Sequence, residues 1–169
     1  MRGAVALAAI VVAIAVQTTL ARYIFRGSSA GIDLVLIVVV YVGIKSGPVT
    51  GLLAGTVAGL IQDALSSGIL GIGGLAKTLV GFLSGVLGTQ FIVSAPLPRF
   101  LLLAVATAMH AAITIGLYTL LNLGQYPAPY SSIVGLAFGN AFVGVVAFQM
   151  IEWFPGFVDR RRAGRFLKR

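Results

Sequence analysis

The chain has no cysteine and only four acidic residues, one histidine and one tryptophan among 169 residues. Without cysteine there is no disulfide, no thiolate metal site and no cysteine nucleophile. With charged residues at only 9% against 59% apolar, a soluble domain of this length could not cover its core. It would expose apolar surface well beyond the patches of a soluble monomer. What is present fits a bilayer instead. The mean hydropathy is +1.04, and 22 glycines suit membrane helices, where glycine and proline are commoner than in soluble ones. The net charge of +8 suggests nucleic acid until it is located. Half of the twelve basic residues lie in the last ten positions, with no folded reader domain beside them.

A membrane helix needs about 20 apolar residues. Six segments qualify or nearly do: Gly3 to Ala21, Ala30 to Ile44, Val49 to Leu65, Leu75 to Val93, Phe100 to Leu123 and Ser132 to Ile151. The second and third are short, which implies local thinning or burial among neighbours. The breaks carry turn chemistry: Gly27-Ser28-Ser29, Lys45-Ser46-Gly47-Pro48, a glycine-rich stretch from Ser66 to Gly74, Pro96-Leu97-Pro98-Arg99, and Gln125 to Tyr130. Solidly apolar runs argue against a β-barrel, whose strands alternate. The expectation is an all-α integral membrane protein, a six-helix transmembrane bundle over residues 1–153 with a basic cytoplasmic tail at 154–169. Arg2 followed by an apolar run and Thr19-Leu20-Ala21 also resembles a signal peptide. A single basic residue ahead of the run favours a retained helix.

Six spans put both termini on one side. If that side is the cytoplasm, it holds Arg2, Lys45, Arg99 and the six basic residues of the tail, against Arg22, Arg26 and Lys77 outside. That balance favours cytoplasmic termini. The tail residues Arg160, Arg161, Arg162, Arg165, Lys168 and Arg169 then act as a topology anchor and contact anionic lipids, each residue contributing about 1 kcal/mol near an anionic leaflet. An acidic cytoplasmic protein is their alternative partner.

The most informative stretch is GLLAGTVAGLIQDALSSGILGIGG, Gly51 to Gly74. Gly51, Gly55 and Gly59 share one helix face, as do Gly81, Gly85 and Gly88 on the fourth helix. Gly135 and Gly139 lie on the sixth. Such small-residue faces let another backbone approach closely, either inside the bundle or from a partner. Gly43 and Gly47 continue the spacing but flank Pro48 and belong to the turn. Asp63 extends the same face and needs a partner in the membrane. Lys77 is the candidate, with backbone N–H groups of the glycine-rich connection as the alternative. Asp33 opens the second helix at the positive end of its dipole, within reach of Arg22 and Arg26. Asp63, Lys77 and Asp33 are therefore expected to form structural ion pairs or caps at the outer side. His110 has no metal-binding company and is expected to pack through hydrogen bonds. Asn140 is expected to bond across helices, and Glu152 to meet solvent or tail arginines at the inner interface. No nucleophile–base pair or metal cluster stands out, and Gly71-Ile72-Gly73-Gly74 lacks the Lys-Ser/Thr ending of a phosphate loop. No catalytic residue, cofactor or metal is expected.

The pattern Gly51-x3-Gly55-x3-Gly59-Leu60-x2-Asp63, a small-residue turn, then Leu70-Gly71 and an apolar helix, resembles the bacterial rod shape-determining MreD family. Asp33-Leu34-Val35-Leu36 fits as well, so the specific likeness covers roughly residues 30–88, and beyond it only hydropathy agrees. The resemblance implies a non-enzymatic scaffold of peptidoglycan elongation in the bacterial inner membrane. It implies association with the single-span protein MreC, and through it with the MreB filament, the RodA glycosyltransferase and a penicillin-binding transpeptidase. It also implies a fold similar to the substrate-binding subunits of energy-coupling-factor vitamin transporters. The competing function is therefore a substrate-capturing subunit of a vitamin-type transporter, although the short outer segments offer few convergent polar groups for a ligand. A channel or proton-coupled carrier using Asp63, Asp33 and His110 ranks last.

Overall fold

The structure is a computed structural model. It describes the backbone of residues 3–23, 32–65, 69–90, 95–123 and 130–166, and the side chains within them except at 3–5, 20–23, 130–132 and 154–166. The described residues form six helices and no strand: α1 (Gly3–Tyr23), α2 (Leu34–Ser46), α3 (Pro48–Leu65), α4 (Ile72–Gln90), α5 (Pro96–Leu120) and α6 (Tyr130–Phe166). Four stretches are long and apolar enough to cross a membrane: Pro48–Leu65, Ile72–Gln90, Pro96–Leu120 and Ile133–Trp153. The described apolar parts of the other two, Ala6–Thr19 and Leu34–Ser46, are shorter.

The short helix is the central one. Val35, Leu36, Ile37, Val39, Val40, Val42 and Gly43 of α2 are all buried. A helix apolar on every side has no outward face to give to solvent or lipid. One side of α2 packs with Ala6, Ile10, Ala13 and Ile14 of α1 and with Ala54 and Ala58 of α3. The other side, through Leu36, Ile37 and Val40, packs with Val80 of α4, Leu103 and Ala106 of α5, and Ala141 and Phe148 of α6. The outer helices turn large apolar residues outward: Leu53 and Leu60 on α3, Leu101 and Val105 on α5, Phe138 and Phe142 on α6. In hydrocarbon, polar side chains must also find partners within the protein. Thr18, Thr50, Thr56, Thr78, Thr107, Thr114 and Thr119 do so by donating to the carbonyl four residues earlier.

A single residue, Gly47, joins α2 to α3. Its φ of +91° suits only glycine without strain, and its N–H donates to Gly43 O at 2.8 Å. Pro48 then starts α3 where a missing N–H does no harm. Gly71, at φ +100°, plays the same part before α4. The breaks at 27–29, 66–68 and most of 125–130 lie outside the described residues.

Candidate functional site

At 13 residues α2 is about 20 Å long, shorter than the hydrocarbon layer of about 30 Å. Its first turn is enclosed by the bundle, so the unpaired N–H groups of that turn need acceptors from protein. Three side chains supply them. Asp33 caps its own helix, Oδ1 accepting from Leu36 N at 3.0 Å. Gln17 Oε1 on α1 accepts from Val35 N at 3.1 Å. Asn140 Oδ1 on α6 accepts from Asp33 N at 2.8 Å, while its Nδ2 donates to Thr107 Oγ1 on α5 at 3.3 Å. Asn140 is fully buried.

The carboxylate that caps α2 also carries a full charge, and α4 answers it. Lys77 Nζ lies 2.8 Å from Asp33 Oδ2, with Lys77 3% and Asp33 14% exposed at their side chains. The same ammonium meets His110 Nε2 on α5 at 3.2 Å. An ammonium only donates, so Nε2 accepts and the imidazole carries its proton on Nδ1. One cluster of Gln17, Asp33, Lys77, Thr107, His110 and Asn140 thus ties α1, α2, α4, α5 and α6 together around one helix end.

Lys77 therefore turns to Asp33 and not to Asp63. Asp63 takes the backbone alternative: Oδ2 accepts from Gly71 N at 2.9 Å and Gly74 N at 3.0 Å. It caps α4 from the end of α3, which satisfies first-turn donors as the Asp33 group does for α2. The reason is register. Lys77 enters α4 beyond its first turn, facing α2 and α5, whereas the exposed glycine N–H groups of the turn lie directly against Asp63.

Below Asp63 runs a glycine seam. A Cβ on Gly51 would collide with Gly81 O, and one on Gly55 with Lys77 O. One on Gly59 would sit 2.5 Å from Gly74 Cα. Thr56 and Thr78 meet across the same seam, Oγ1 to Oγ1 at 2.8 Å; since each hydroxyl has one proton, this bond forms when one of them donates to the other in place of its own helix carbonyl. Gly81 and Gly85 of α4 are crowded in turn by Gly51 and Pro48. Gly88 faces Ile44, where a Cβ would be 2.6 Å from its Cα. Gly43, expected in the turn, lies inside α2 and packs on Gly81 and Gly85. The backbones of α2, α3 and α4 fill these faces and leave no room there for a further helix. Gly135 on α6 meets open space, and Gly139 is only touched by Ile32.

A second charged group closes the opposite end. Glu152 on α6 takes Lys45 of α2 at 2.6 Å and Arg99 of α5 at 2.7 Å. Arg99, 5% exposed at its side chain, also lies over the Phe148 ring, 5.6 Å from its centre. Glu152 was expected to meet solvent or tail arginines; here α2 and α5 hold it. The Arg22 side chain, Arg26, Lys168 and Arg169 lie outside the described residues. Arg160, Arg161, Arg162 and Arg165 stand on the continuing backbone of α6, and their side chains lie outside as well.

Sequence reasoning did not find Gln17 or the partners of Lys77, Lys45 and Arg99. The usable signal for Gln17 was a lone amide inside an apolar run, which in hydrocarbon must find a partner within the protein. For Arg99 and Glu152 it was their place at facing ends of consecutive helices.

No curated protein and no solved structure matches the chain, so the expected likeness to energy-coupling-factor subunits gains no support from comparison. A family model does match, described as rod shape-determining protein MreD and covering residues 2–157. That span takes in α1 to α5, α6 as far as residue 157, and the clusters just described. The chain is a multi-pass helical membrane protein and belongs to the rod shape-determining protein MreD family.

Proposed function

We propose that this protein is a non-enzymatic scaffold of the cell-elongation machinery, a bundle that positions other proteins and converts no substrate. The family match over residues 2–157 carries this reading. The use of the polar groups within the bundle supports it. Asp33, Asp63, Gln17 and Asn140 are spent on helix ends, and Lys77 on neutralising one of them. That is how a rigid frame in hydrocarbon is built.

In this proposal all six helices span the bacterial inner membrane with both termini in the cytoplasm. The bundle of residues 1–153 holds an MreC-like single-span protein and through it reaches MreB, RodA and a penicillin-binding transpeptidase. The 154–169 segment acts as a basic tail on anionic lipids. Gly51, Gly55, Gly59, Gly81 and Gly85 serve to pack the frame, so partners meet its outward faces.

The test is replacement of the resident family member in a rod-shaped bacterium by this chain or by its Gly55→Leu variant. The proposal expects rods with the first and rounded cells with the second. Rods of normal width in cells carrying neither would refute it.

A further inference from the structure

His110 has a part in the polar cluster that charge balance does not explain. Lys77 and Asp33 already form a neutral pair, 2.8 Å apart. The imidazole accepts from the same ammonium at 3.2 Å, and an accepting ring carries no charge. What His110 adds is a joint. It stands on α5 and Lys77 on α4, so this bond fastens the two helices at one level.

Toward the Glu152 end the same two helices part. A groove of about 320 Å³ separates Ser84 and Leu87 of α4 from Pro98, Leu102 and Val105 of α5. In water such an apolar gap would be driven shut. In a bilayer, lipid tails fill it as well as leucine does, so its open and closed forms differ little in free energy. The helices around the groove are not equally free. Gly81 and Gly85 hold the α4 backbone directly against Gly51 and Pro48, so α4 stays with α3. The next helix, α6, is bound to α2 at both ends, through Asn140 and Asp33 at 2.8 Å and through Glu152 and Lys45 at 2.6 Å. Between these two fixed neighbours, α5 leans on α6, where a Cβ on Gly144 would lie 2.5 Å from Leu103 Cδ1 and Arg99 meets Glu152. On its other side it has the joint at His110 and then free volume.

We infer that α5 is a hinged leaf. It turns about α6 with the Lys77–His110 bond as its joint, and its Pro98–Val105 half closes on Ser84 and Leu87 or parts from them. The travel is about 4 Å, one carbon contact distance. With the leaf open the bundle offers the bilayer a slot, and with it closed a flat wall. A membrane neighbour that fills the slot therefore holds α5 open. The hinge is independent of the scaffold reading.

The test is double electron–electron resonance on the full chain in lipid nanodiscs. The chain has no cysteine, so introduced pairs carry the spin labels. Leu53→Cys with Leu79→Cys spans the locked α3–α4 seam and serves as the ruler. Thr89→Cys with Leu97→Cys spans α4 and α5 at the groove end, and Leu75→Cys with Ala112→Cys spans them at the joint. All six positions are exposed. The groove-end pair is expected to show two distances about 4 Å apart, and the other two pairs one each. His110→Leu gives the joint pair a second, longer distance, while His110→Gln, whose amide oxygen still accepts from Lys77, keeps one. An unchanged ruler distance certifies the folded bundle in each variant. One narrow distance at the groove end of the parent overturns the inference, whatever the variants do. So does a ruler pair that splits along with it, or a joint pair that ignores His110→Leu in a folded bundle.

Discussion

Replacing Lys77 by methionine keeps the length of the side chain and removes its charge. Asp33 is then left as an unpaired carboxylate against α2, 14% exposed, and removing one partner of such a buried pair costs about 3–5 kcal/mol. His110 Nε2 loses its donor as well, which adds to the effect. For a chain of this size that loss lowers the melting temperature by roughly 6–20 °C. The informative variant is the double one. Asp33→Asn still offers an oxygen to Leu36 N and carries no charge, so Asp33→Asn with Lys77→Met removes the uncompensated charge and recovers most of the loss. A double-mutant cycle followed by thermal unfolding in mild detergent measures this. The reasoning predicts strong coupling, with the double variant more stable than Lys77→Met alone. Additive losses at the two positions would refute it, because they would mean that each residue acts through partners other than its neighbour.

The remaining predictions concern the other helix ends and the seam. Gly55→Ala places a methyl group against the carbonyl of Lys77, backbone that cannot rotate away, so α3 and α4 must separate; the loss is about 1–3 kcal/mol, and larger with leucine, read as reduced folded yield on size-exclusion chromatography. Asp63→Ala removes the acceptor for Gly71 and Gly74 and destabilises by about 0.5–2 kcal/mol, whereas Asp63→Asn keeps an acceptor oxygen and recovers at least half; equal melting temperatures for the two would contradict the cap. Gln17→Leu leaves Val35 N–H without its acceptor in a water-free site, about 1–3 kcal/mol, and should accelerate hydrogen exchange in the first turn of α2 more than in the first turn of α4.

Much of the helical layout was legible because hydropathy and turn residues depend on local sequence. The first residues of α3 follow Gly47-Pro48, and the expected Asp33 cap is a local interaction within one turn. Asn140 was readable as a cross-helix amide because a carboxamide in hydrocarbon has few other options. Partner choice was not legible. Asp63 and Lys77 are fourteen residues apart on consecutive helices, and sequence alone made them the natural pair. Which charge faces which depends on the rotation of α4 about its axis, and that rotation is set by Gly81 and Gly85 packing on α2 and α3. The same rotation turns Lys77 toward Asp33 and His110. The role of Gln17 was hidden for a related reason: the shortness of the second segment was legible, but which neighbouring side chain reaches its first turn was not until α2 is seen at the centre of the bundle.

The scaffold reading makes one demand that its rival does not. Purifying the tagged protein from its native membrane in mild detergent and identifying co-purifying proteins by mass spectrometry tests it most directly. The account predicts a single-span MreC-like protein together with cell-wall synthases. Recovery instead of an ATPase pair with a coupling membrane subunit would contradict it and make this a substrate-capturing transporter component.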